Sequence, residues 1–222
     1  AIDRELRLEH CAAQGIEVMR RATGGGALYI DPQQLGFTLL LGEAGSSLES
    51  HLKTTCAAII AALADFGLEA AFKFPNDVEI AGRKIASVFA VKEHGVLLLH
   101  GVLLLGVDIG AMLEALRVPT EKLSPDGLAA ARERFATFRE LRPGASDQAL
   151  RQALETHLAR AFSLSLAPAL SGTEVLPEQA APFDLPAHAI DWGRQDGNWL
   201  EALWKTADGV LLRGRASFTP EG

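Results

Sequence analysis

The chain has 222 residues, 48% of them apolar and 22% charged, which excludes a disordered protein and allows one large core plus a small appendage. Its net charge of −7 excludes a broad nucleic-acid-binding face while leaving room for a local basic pocket. The longest nearly apolar run, 96–107, falls short of the roughly 20 residues a bilayer span needs, and Cys11 and Cys56 form no C-x-x-C pair. A membrane span, a disulfide scaffold and a cysteine zinc site are therefore not expected, and the cysteine usage fits a reducing, cytoplasmic setting.

The polar start, AIDRELRLEH, lacks the basic and apolar regions of a signal peptide and reads like the middle of a helix or loop. Residues 1–14 have weak helical character. GIEVMRR (15–21) predicts a short strand running into a glycine cluster, and ALYIDP and FTLLLG predict two more strands. Ser46 and Glu49 form a capping box for a helix near 47–66, with Leu48, Leu52, Cys56, Ile59, Leu63 and Phe66 on one face and Gly67 as its stop. LEAAFKF, VEI, KIASVFAV and VLLLHGVLLLGVDI then read as short strands joined by the tight turns PND, AGR and KEHG, an antiparallel meander.

Helices are expected at 111–116, at 127–141 with Arg132, Arg134 and Arg139, and near 147–164 from Ser146, where Leu150, Leu154, Leu158, Ala161 and Phe162 share a face. Prolines and few charges mark 171–186 as a linker, and the C-terminal end predicts two strands around Asp208 and Gly209. The expected fold is α+β, a mixed, largely antiparallel sheet covered by the helices near 47–66 and 147–164.

Two segments carry chemistry. In MRRATGGGALY (19–29), Gly24, Gly25 and Gly26 are able to turn several N–H groups toward one point, an anion nest, with Arg20 and Arg21 beside it; the plain alternative is a tight turn with two solvated arginines. The segment is neither a Walker A loop nor a G-x-G-x-x-G fingerprint. In KFPNDVEIAGRKIASV (73–88), a two-residue hairpin would bring Asp77 and Lys84 to the same side of a sheet edge, a carboxylate beside a fixed cation for an oxyanion or phosphate. Its plain alternative is an ordinary turn and a solvated edge lysine. His94 and His100 have no second ligand at metal spacing, and Trp192, Trp199 and Trp204 read as packing of the small C-terminal unit.

Together these segments resemble the lipoate–protein ligase family of the biotin/lipoate ligase superfamily. RRATGGGALYIDPQQLGFTLLL is similar to its arginine–glycine motif, FPNDVEIAGRKIASVFA to its asparagine–aspartate hairpin with the catalytic lysine, HGVLLLGVDIGAMLEAL to its His-Gly strand, and EKLSPDGLAAARERFATFRELRPG to its basic helical segment. Four motifs in order over about residues 15–165 make the resemblance specific.

The resemblance implies a two-step ligase. A carboxylic acid attacks the α-phosphate of ATP with Mg²⁺, and a lysine of a small carrier domain then takes the acyl group from the adenylate. It implies Lys84 as the catalytic residue, and Arg21, Gly26, Ala27, Leu28, Tyr29 and Lys84 as the ATP site. Arg20, Thr23, Gly24, Gly25, Asn76, Asp77 and His100 are implied as support, with Asp77 a metal ligand. The implied partners are lipoate or a related acid and a lipoyl-type carrier domain, for a cytoplasmic monomer that binds neither nucleic acid nor membrane.

The implied domains are 1–170, a catalytic unit lacking the family's N-terminal strands, and 187–222, the start of a small accessory domain. The family's Lys-Ile-Ser-Gly-Ser-Ala is here Lys84-Ile85-Ala86-Ser87-Val88-Phe89, and the added Phe89 is expected to reshape the acid pocket. Ile30-Asp31 also stands where His-Asp is usual. Biotin ligation, suggested by Lys-Phe-Pro-Asn-Asp, an octanoyltransferase acting through a cysteine thioester, and a non-catalytic acyl- or nucleotide-binding homologue are the alternatives.

Overall fold

The structure, a computed structural model, describes residues 5–19, 21, 23, 27–42, 47–93, 95–117, 125–166, 199–205 and 211–217. In chain order the elements are α1 (Leu8–Ala13), β1 (Gln34–Gly42), α2 (Leu48–Ala64), β2 (Ala71–Lys73), β3 (Asp77–Ile80), β4 (Arg83–Glu93) and β5 (Val96–Leu104). They continue with α3 (Ile109–Ala115), α4 (Pro125–Arg132), α5 (Phe138–Leu141), α6 (Asp147–Ala161), β6 (Trp199–Lys205) and β7 (Leu211–Ser217).

Strands β1 to β5 form one sheet in the order β1-β5-β4-β3-β2, every pairing antiparallel, as the tight turns between the last four strands require. The β3–β4 turn is Ala81-Gly82, both residues at positive φ (50° and 75°), the backbone a two-residue hairpin needs to follow the sheet twist. Strands β6 and β7 pair antiparallel as a separate hairpin around residues 206–210.

Helix α2 packs on one face of the sheet, and α6 packs on α2. Alternate strand residues point into this core: Leu35 from β1, Val78 from β3, Ala86 and Val88 from β4, and Leu97, Leu99 and Leu103 from β5. They meet Cys56, Ile59 and Leu63 of α2 and Leu150, Leu154 and Leu158 of α6. Phe138 of α5 is fully buried edge-on against Phe66, with ring centroids 5.0 Å apart. Gly101 on β5 has a steric reason: a Cβ there would stand 2.1 Å from Cζ of Phe37, its partner on β1.

The structure departs from the sequence reading in several places. Residues 15–21 and the ALYIDP stretch form no strand where they are described; at Asp31 the carboxylate accepts from the Gln33 and Asp108 amides, a side-chain clamp in place of a ladder. The cap of α2 is Ser47, whose hydroxyl accepts from the Ser50 amide, and Ser46 lies outside the described residues. Asp108 caps α3 and Ser146 caps α6, and α2, α3 and α6 end before the expected limits.

The single helix expected at 127–141 is two. The backbone between α4 and α5 extends to pair with β4, and Thr137 then caps α5 by accepting from the Glu140 amide. Most of the expected linker and domain boundary, 167–198, lies outside the described residues. No helix among the described residues is long and apolar enough to cross a membrane.

Candidate active site

On the sheet face turned away from α2 and α6, strands β3 and β4 present an ion pair. Lys84 Nζ lies 2.6 Å from Asp77 Oδ2, and the Ser87 hydroxyl donates to Asp77 Oδ1 at 2.6 Å. The Lys84 side chain keeps about a third of its exposure (36%) against 16% for Asp77, so the cation is fixed yet reachable by a solute.

Regular alternation would not allow this arrangement. Lys84 and Ser87 are three residues apart on one strand, a spacing that puts them on opposite faces. The register shifts between Val78 and Glu79, so that Ala86 faces Val78 while Lys84 already faces Glu79. The bulge sends Ile85 and Ala86 both into the core, at 0% and 1% exposure, and so brings Ser87 onto the face that Lys84 shares with Asp77.

The backbone of Lys84 is held from outside the sheet as well. Its amide donates to Arg134 O at 2.9 Å, and its carbonyl accepts from the Ala136 amide at 2.8 Å. Next door, the Arg83 guanidinium donates to Phe135 O and to both carboxylate oxygens of Glu140. Their hydrogen bond holds Glu140 below its usual carboxylate range and raises Arg83. Asn76 closes the other side: its side-chain amide donates to Val88 O at 2.7 Å, and its carbonyl accepts from the Val88 amide.

Further along the same face stand Phe89 of β4, His100 of β5 and Thr38 of β1 in adjacent register. The rings of Phe89 and His100 stack with centroids 6.5 Å apart, and His100 Nδ1 is 3.2 Å from the Thr38 hydroxyl. Burial first, and then the charge of Arg21, lower the His100 pKa to about 4, so the imidazole is neutral at physiological pH. Along β5 every other residue is buried; His100 alone is half-buried.

Arg21 reaches this face from the loop before β1. Its guanidinium carbon lies 4.5 Å from the Phe89 ring centroid, its Nε donates to Thr23 O at 3.2 Å, and burial lowers its pKa. Arg21 and Lys84 thus share one sheet face, with Phe89 two residues beyond Ser87 on β4.

Thr23 is buried, and its hydroxyl has no hydrogen-bond partner among the described residues. Tyr29 is half-buried, its phenol raised by desolvation and then by Asp31 and Asp108, while Ala27 is exposed and Leu28 half-buried. Arg20, Gly24, Gly25, Gly26 and His94 lie outside the described residues.

Both cysteines are buried, and burial, followed by the charge of Asp77, pushes the Cys56 thiol up to about 12. The sequence reading missed Ser87 as the clamp on Asp77, Phe89 as the surface under Arg21, and Arg83 as the tie to the segment after α4. Ser87 and Phe89 had a local signal, their place in the lysine motif.

The profile described as Lipoyl protein ligase A/B catalytic domain matches residues 1–159. Lipoate–protein ligase 1 of Staphylococcus aureus is 32% identical over 136 residues, 61% of this chain and 41% of that protein. Lipoate-protein ligase LplJ of Bacillus subtilis is 31% identical over 156 residues, 70% of this chain and 46% of that one. The chain therefore spans less than half the length of these relatives.

A structure of a bi-partite lipoate protein ligase from Thermoplasma acidophilum is similar with a TM-score of 0.68 at 28% identity, over 74% of this chain and 65% of that one. A structure of lipoate-protein ligase A bound with ATP shares the fold, with a TM-score of 0.64 at 23% identity over 75% and 67% of the two chains. The match over residues 1–159 covers well over half of the sequence, and this chain belongs to the lipoyl protein ligase A/B catalytic-domain family.

Proposed function

We propose that the chain is the catalytic part of an ATP-dependent ligase that attaches lipoate, or a similar medium-chain acid, to a lysine of a lipoyl-type carrier domain. The observation that carries the reading is Lys84, a fixed and reachable cation on the face that also holds Arg21. In the first step a carboxylate oxygen of the acid attacks the α-phosphorus of ATP, the bond to the bridging oxygen breaks, and pyrophosphate leaves. Arg21 holds phosphate, the backbone of Gly26, Ala27, Leu28 and Tyr29 lines the nucleotide, and Lys84 contacts both the α-phosphate and the acyl carbonyl as charge grows on them.

In the second step the neutral carrier amine attacks the acyl carbonyl, AMP leaves with the bonding pair, and the amine proton passes to solvent. Lys84 again faces the charge on the carbonyl oxygen. Asp77 holds Lys84 and Asn76 holds β4 at Val88, while Arg20, Thr23, Gly24, Gly25 and His100 support the nucleotide and acid.

Magnesium fits this site poorly as a protein-held ion. No group of three or more His, Cys, Asp or Glu side chains among the described residues is placed to hold a metal, and both oxygens of Asp77 are engaged by Lys84 and Ser87. Asp77 is therefore assigned to the lysine. Transfer through a cysteine thioester is disfavoured by the burial of Cys11 and Cys56. Residues 1–170 are proposed as the catalytic unit, 171–186 as a linker and 187–222 as the start of an accessory unit, in a cytoplasmic monomer.

ATP–pyrophosphate exchange with lipoate, octanoate and biotin in turn tests the reading, since only an acid that forms an adenylate supports exchange. Lys84→Ala removes a donor worth about 3–4 kcal/mol in the transition state, so exchange falls two to three decades. ATP affinity falls much less, because Arg21 and the loop remain. Equal exchange rates for the variant and wild type would remove Lys84 from the mechanism, and no exchange with any acid would favour a non-catalytic binding protein.

A further inference from the structure

We propose that Phe89 is a positioning residue that holds the Arg21 guanidinium in place for nucleotide phosphate. The inference rests on the proposed ATP reaction and adds to it a residue that meets Arg21 from the sheet.

The Arg21 side chain is long, and holding it in one place costs rotamer freedom, so contact with a rigid surface helps to fix it. Phe89 offers such a surface with its ring. Its backbone is in the β4–β5 ladder opposite His100, and its ring stacks on the His100 ring, which is tied to Thr38 on the next strand. Three adjacent strands thus build a fixed ledge, and the cation sits over its aromatic end, 4.5 Å from the ring centroid.

A cation over a ring is attracted by the electron-rich face and spends none of its N–H donors on that contact. An arginine seated this way stays suited to forked contact with phosphate oxygens. The neutral state of His100 serves the same arrangement, since an imidazolium stacked on Phe89 would repel the guanidinium.

The sequence reading expected Phe89 to reshape the acid pocket. The contact with Arg21 assigns it to the other substrate, and the two roles separate in kinetics. In the full chain, Phe89→Leu keeps an apolar side chain of similar size and removes the ring. It is expected to raise the ATP KM in pyrophosphate exchange, and the ATP Kd by calorimetry, by about 2- to 30-fold, the range of one cation–π contact. The acid KM stays put.

Phe89→Tyr restores ATP affinity, and Phe89→Leu has no further effect in an Arg21→Gln background. An unchanged ATP Kd in Phe89→Leu, a shift in acid KM instead, failure of Phe89→Tyr to restore, or additive effects with Arg21→Gln would each overturn the proposal. Calorimetry keeps its failure distinct from that of the ligase reading. Wild type that binds ATP in a Phe89-dependent way yet exchanges no pyrophosphate removes the ligase reaction alone, and wild type that binds no ATP removes both. If Phe89→Leu does not fold, Phe89→Met serves in its place under the same criteria.

Discussion

Asp77→Asn is nearly isosteric and tests whether the carboxylate holds Lys84 in a working position. The native oxygens accept from Ser87 Oγ and Lys84 Nζ, both at 2.6 Å. In the variant the amide oxygen still faces Lys84 but carries no charge, and the amide nitrogen donates to the Ser87 hydroxyl, which turns to accept. A hydrogen bond to a charged group contributes about 1.5–3 kcal/mol, but Lys84 keeps a third of its exposure and solvent screens part of this.

A loss of roughly 1–2 kcal/mol in urea unfolding follows. The effect on turnover is larger, because a displacement of about 1 Å in a reacting group costs on the order of a hundredfold. Pyrophosphate exchange is therefore expected to fall about a hundredfold, and ATP affinity by calorimetry to change little. Ser87→Ala, which leaves the ion pair in place, should lie between wild type and Asp77→Asn in both assays. An Asp77→Asn enzyme with wild-type exchange would refute the argument that the ion pair aims the lysine.

Two further outcomes concern the sheet. Gly101→Ala places a methyl group 2.1 Å from the Phe37 ring, and the repacking is expected to cost about 1–3 kcal/mol, read as a lower Tm. His100, with a folded pKa of about 4 against an ordinary 6.5, binds its proton more readily in the unfolded chain. Its contribution is complete above pH 6.5 and is lost as pH falls toward 4, by up to about 3 kcal/mol, so His100→Gln should flatten the stability–pH curve in that window. Parallel curves for the variant and wild type would show that His100 is not held neutral.

What was legible in the sequence is what local pattern dictates. The helical period of Leu48 to Leu63, the tight turn at Ala81-Gly82 and the apolar runs of β4 and β5 each express one element's own preference, and each element formed. The hairpin put Asp77 and Lys84 on one side of a sheet edge but left a solvated edge lysine as the alternative, and their 2.6 Å ion pair decides between the two.

The bulge was not legible, because nothing local marks where a register slips; it is set by Ile85 and Ala86 both finding room in the core. The break between α4 and α5 was hidden for a related reason. Alanines and arginines favour helix, and only the free backbone groups of a strand some fifty residues away draw Arg134 and Ala136 out of it. Arg21 over Phe89 joins a loop to a strand across the face, a contact no spacing rule contains.

The two hydrogen bonds between Lys84 and the chain after α4 also decide how the site opens. An amide exchanges its hydrogen only when its bond is broken, and amides that share a structural unit open together. The Lys84 amide donates to Arg134 and the Ala136 amide donates to Lys84, so neither is freed without the other strand segment moving away. Arg83, gripping Phe135 O and Glu140, must let go in the same event. The start of β4 and the 133–140 segment therefore behave as one cooperative unit although the sequence sets them far apart. Hydrogen–deuterium exchange would see their protection rise and fall together, and any ligand that steadies the segment would slow exchange at the lysine without touching it.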